Sequence, residues 1–252
     1  MLYRFLREAQ RGEAEAESGD SARQAETAGE PLSVGQTLRV IFRTPAVPFL
    51  MLAFVGANFV ATIFLTWTPT FLVEKFQFKL TSAGLSGALF IHLASACSVP
   101  FAGWLADRIC RRIASGRMMV QAFGLVTGAG FVFLVGKTTS TTTLLFAMTV
   151  FGACKGFYDS GIFAALYDSI ESRARGTAAG LMNTVGWGGG ALGPVFVGLA
   201  SKYGSKATEV ENMSEAIAWC GAIYLVAALM VAAAIYCSGA RTSADLNAPN
   251  SR

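Results

Sequence analysis

The sequence predicts an all-α polytopic membrane protein whose six transmembrane helices form two inverted three-helix repeats. Of its 252 residues, 53% are apolar and only 14% are charged, a balance that suits lipid rather than water as the solvent. The apolar residues gather into six runs near the roughly 20 residues that a helix needs to cross a bilayer: Pro48 to Leu72, Ala83 to Leu105, Met118 to Val135, Leu144 to Tyr167, Thr177 to Ala200 and Ala216 to Cys237. Every arginine falls in the N-terminal stretch, the second and fourth connections or the tail, whereas every lysine but Lys155 falls in the alternate connections. By the positive-inside rule the arginine side is cytoplasmic, so both termini face the cytoplasm of a cell (inner) membrane protein. This asymmetry accounts for the formal charge of +4 without a nucleic-acid partner.

Residues 1–45 read as a cytoplasmic linker and interfacial segment. Met1 to Leu6 is too short an apolar region for a signal peptide or a span, and Arg11 to Pro31 is too polar to bury a core. Leu32 to Ile41, with Arg39 and Arg43, carries an interfacial-helix pattern. Residues 46–238 form the six-helix domain and residues 239–252 a cytoplasmic tail. The first span holds Asn58 and the second His92; the third holds no ionisable residue. The fourth carries Lys155 and Asp159, one helical turn apart and therefore on one face. The fifth holds Asn183 and the glycines 186, 188, 189, 190 and 193 before Pro194, which allow close packing or a gating bend. The sixth is apolar throughout.

An ionisable residue inside a span is costly and marks a functional position by default. The polar set Asn58, His92, Lys155, Asp159 and Asn183 avoids the third and sixth spans, as lining a shared aqueous cavity would require. Bland accounts stand beside this one. Lys155 and Asp159 neutralise one another, His92 bonds a neighbouring helix, and the asparagines bridge helices.

Gly103-Trp104-Leu105-Ala106-Asp107-Arg108-Ile109-Cys110-Arg111-Arg112 ends the second span abruptly. Its spacing resembles the loop joining the second and third helices of each half of major facilitator superfamily transporters. Tyr167-Asp168 to Arg175-Gly176-Thr177-Ala178-Ala179-Gly180 resembles the end of the tenth and start of the eleventh helices of that family, and an echo of Ser82-Ala83-Gly84-Leu85 at Ala178-Ala179-Gly180-Leu181 matches its internal repeat. Phe64 to Leu72 followed by Ser82-Ala83-Gly84 is similar to the anion:cation symporters. The resemblance implies the C-terminal half of a secondary transporter, working by alternating access on an organic anion or sugar acid with a proton or sodium as coupling ion. It also implies a missing N-terminal six-helix half, or a second copy, as partner. Gating falls to Gly103, Asp107, Arg108, Arg111, Arg112, Asp168 and Arg175: Gly103 where helices converge, Asp107 against a helix N-terminus or Arg111.

Enzyme readings fail on geometry. Gly84-Leu85-Ser86-Gly87 has the look of an intramembrane protease motif, yet Ser86 and His92 lie six residues apart in one span and point in different directions. The five cysteines show neither metal nor disulfide spacing, and a phosphate-binding loop is missing, so neither metal nor cofactor is expected. The competing class is a non-transporting six-helix membrane protein or a decayed transporter fragment.

Overall fold

The computed structural model describes residues 33–247. Residues 1–32 of the linker and interfacial segment expected over residues 1–45, and residues 248–252 of the expected tail, lie outside the described residues. The chain forms nine α-helices among the described residues: α1 (Val34–Arg43), α2 (Ala46–Phe76), α3 (Leu80–Cys110), α4 (Gly116–Lys137), α5 (Thr141–Asp159), α6 (Ile162–Ser169), α7 (Arg175–Gly190), α8 (Leu192–Tyr203) and α9 (Glu209–Asn247). Four of them, α2, α3, α4 and α9, are long and apolar enough to cross a membrane unbroken. The fourth expected span is divided between α5 and α6, and the fifth between α7 and α8.

α1 begins at a capping box, in which the Ser33 hydroxyl accepts from the Gln36 backbone N–H and the Gln36 side chain accepts from the Ser33 N–H at 2.9 Å. It buries Thr37 and Ile41 and leaves Arg39 and Arg43 exposed. α2 stops at Gln77, whose φ of 57° turns the chain so that the N–H of Phe78 reaches the Leu72 carbonyl. At the other terminus α9 continues to Asn247, well past the expected end of the sixth span.

Helix neighbours obey a two-fold pattern. α3 packs on α5 as α7 packs on α2, α4 packs on α5 as α9 packs on α2, and α4 lies against α9. Exchanging the first three spans for the last three reproduces the map, which is the relation between two three-helix units.

Two close crossings hold these units in register, and both use small residues spaced one turn apart. At the α3–α5 crossing a Cβ on Gly152 would overlap the Ile91 backbone, and one on Gly156 would lie 2.6 Å from the Ser95 carbonyl. The Ser98 hydroxyl there donates to the Ala153 carbonyl at 2.9 Å. At the α2–α7 crossing Gly186 lies under the Phe54 ring, and a Cβ on Gly190 would approach the Asn58 backbone to 3.2 Å.

The break in the fifth span follows from Pro194, which has no N–H for the Gly190 carbonyl four residues earlier. The Thr62 hydroxyl donates to that carbonyl instead. Trp67 then donates its indole N–H to the Pro194 carbonyl at 2.9 Å, fixing the bend to α2. Trp67 is thus a strut between α2 and the bend. The fourth span breaks at Ser160-Gly161, a helix-weakening pair without a proline.

Candidate solute-binding cavity

A cavity of about 320 Å³ opens between α2, α3, α5, α6 and α7, inside the roughly 300–1,000 Å³ range of small-molecule sites. Asn58 from α2, His92 from α3, Lys155 and Asp159 from α5, and Asn183 from α7 all line it. No residue of α4 or α9 does. The segregation of polar groups along the sequence is therefore a segregation in space.

Lys155 and Asp159 form an ion pair on the cavity side of α5. Their side chains keep 20% and 37% exposure, so both heads face the opening rather than the packed interior. Asn58 is buried at 8% and donates to the Phe54 carbonyl at 2.8 Å, a bond within its own helix rather than a bridge to another. His92 and Asn183 are exposed to the cavity. Phe54 and Phe163 meet edge to face with ring centroids 5.7 Å apart, and with Trp187 they form aromatic wall. Tyr158 is buried at 1% and lies away from the cavity lining.

Of the two partners expected for Asp107, a helix N-terminus and Arg111, it takes the first, pairing at 3.0 Å with Arg117, the second residue of α4. Arg117 also binds Asp168 at the end of α6, so one guanidinium ties three helices. With Asp107 66% and Asp168 50% exposed, these bridges add little to stability and are easily exchanged. Arg175 donates to the Tyr167 carbonyl at 3.2 Å, and Arg108 lies over the Trp104 ring at 5.9 Å. Arg111 and Arg112 are exposed. Gly103 departs from the expectation: no atom lies within 4 Å of where its Cβ would stand, so no described helix converges on it. All five cysteines are free.

Relatives of known description share this chain's character. It is 30% identical over 182 residues to "Probable anion transporter 1, chloroplastic" of Oryza sativa subsp. japonica, covering 71% of this chain and 34% of that protein. It is 28% identical to "Ascorbate transporter, chloroplastic" of Arabidopsis thaliana, over 66% of this chain and 31% of the relative. It is 26% identical to "Probable L-galactonate transporter" of Escherichia coli, over 67% and 38% respectively. The matched stretch thus spans about a third of each relative's length. The family described as Major Facilitator Superfamily matches residues 1–194 and again residues 81–250. This family and these relatives are transporters rather than enzymes. The all-helical, multi-pass chain belongs to the Major Facilitator Superfamily.

Proposed function

We propose that this chain is the C-terminal half of a secondary transporter for small anions, with Lys155 receiving the anion and Asp159 as the titratable group that couples its movement to a proton or another cation. The observation that carries the proposal is the convergence of Asn58, His92, Lys155, Asp159 and Asn183, from four helices, on one cavity. Relatives described as transporters of anions, ascorbate and L-galactonate support the anionic class. In this reading residues 46–238 cross a cell membrane six times with both termini cytoplasmic. A six-helix N-terminal half, or a second copy, supplies the opposite wall, since alternating access needs two units rocking about a shared site.

The cluster Asp107, Arg117 and Asp168 serves as the cytoplasmic gate of this assembly. None of the three lines the cavity, and Asp107 lies about 22 Å along α3 from His92. In proteoliposomes of the complete assembly, uptake of a radiolabelled small anion should saturate. Arg117→Gln and Asp107→Asn should slow turnover about tenfold with little change in the half-saturating concentration. Absence of saturable anion uptake contradicts the function, and a selective loss of affinity in these variants contradicts the gate.

A further inference from the structure

α6 is eight residues long, and α4 meets it at both ends. Arg117 binds Asp168 near the end of α6, and Gln121, one turn further along the same face of α4, lies against its start. A Cβ on Gly161, the residue before α6, would stand 3.0 Å from the Gln121 amide nitrogen. Gln121 is 0% exposed, and neither its amide nitrogen nor its amide oxygen has a hydrogen-bond partner among the described residues. The start of α6 is open as well, because a helix leaves its first N–H groups without intrahelical carbonyls and no side chain caps this one. An amide able to donate and accept thus lies beside a helix start that lacks an acceptor, and the two do not bond.

An unpaired polar group buried this deeply is costly, and a conformation that pairs it gains by doing so. α6 is placed to make such a change: Ile162 and Phe163 bring its start to the cavity, and Asp168 brings its end to the gate. We propose that Gln121 is the positioning residue of α6: when Asp168 leaves Arg117, α6 tilts and its first N–H groups turn onto the Gln121 amide oxygen, which caps the helix from α4. Glycine at 161 leaves room for that approach. The Arg117 bridge and the Gln121 bond then alternate, each holding one of two conformations, and α6 is the rod that joins gate to cavity. This role rests on the gate reading of Asp107, Arg117 and Asp168 given above.

Spin labels on Ile113→Cys and Ser172→Cys, both exposed positions flanking the gate, report its width by pulsed dipolar spectroscopy. The measurement uses the complete assembly in lipid nanodiscs, in a background lacking the five natural cysteines. Arg117→Gln should raise the share of the longer distance. Adding Gln121→Met, similar in length but without polar atoms, should lower the ratio of long to short distance about tenfold, since only the open conformation loses a bond. Gln121→Glu, which keeps an acceptor oxygen, should preserve the ratio. Gln121→Met alone should melt at or above the wild type, because it removes an unpaired polar group from the closed conformation. A ratio that Gln121→Met leaves unchanged, or a melting temperature well below the wild type, would overturn the positioning role and leave the gate reading intact. Distances that Arg117→Gln does not alter would overturn the gate reading and this role with it.

Discussion

Lys155→Gln is expected to weaken anion binding by about 100-fold or more in the complete assembly, while Asp159→Asn keeps anion exchange and loses proton-driven accumulation. Truncating one partner of a hydrogen-bonded charge pair between a protein and what it binds costs roughly 2 to 5 kcal/mol of binding free energy. About 3 kcal/mol corresponds to a little over 100-fold in affinity. The two variants differ because the proposal gives the two charges different roles. In the empty carrier Asp159 offsets the cost of a lysine inside a span, roughly 2.5 to 3.5 kcal/mol on insertion scales. In the proposed cycle an incoming carboxylate takes Lys155 from Asp159, so that recognition falls to the first and coupling to the second. Equilibrium binding together with counterflow and gradient-driven uptake separates the two steps. Unchanged affinity in Lys155→Gln would leave the pair as a neutralising device with no part in recognition.

Gly152→Val should destabilise the fold more than any substitution in the cavity, by about 3 kcal/mol or more. A Cβ at this position meets the Ile91 backbone, which has no rotamer by which to move aside. The α3–α5 crossing must open, and the Ser98 to Ala153 bond lengthens with it. The control is Gly130→Ala, where the added methyl meets open space and helix propensity favours alanine by about 1 kcal/mol. Thermal unfolding in detergent should show Gly152→Val well below the wild type and Gly130→Ala at or above it. Equal melting temperatures would show that the crossing adapts.

The polar lining of the cavity was legible because lipid makes each buried polar group expensive. Asn58, His92, Lys155, Asp159 and Asn183 stand out against apolar runs, and helical periodicity alone puts Lys155 beside Asp159. The partners of long-range bonds were not legible in this way. Thr62 and Trp67 reach carbonyls more than 120 positions away, and nothing in their local pattern marks them as the residues that hold the Pro194 bend. Arg117 looked like one topogenic charge among several until the α3–α4 turn brought it to Asp107 and the end of α6 brought Asp168. Gly152 and Gly156 form the same small-residue spacing that was noticed at Gly186 and Gly190, but without a run of glycines to draw attention to it. The misreading of Gly103 has the opposite cause. A motif glycine implies a close neighbour, and no described helix of this chain supplies one.

Residues from four helices line one cavity, and its access to the anion is tested by single cysteines at positions 58, 92 and 183, introduced into the complete assembly in a background lacking the five natural cysteines. A small water-soluble thiol reagent should label all three, and a saturating transported anion should slow labelling at each by a similar factor. Labelling that proceeds at the same rate with and without the anion, in an assembly that still accumulates it, would place the transport site elsewhere.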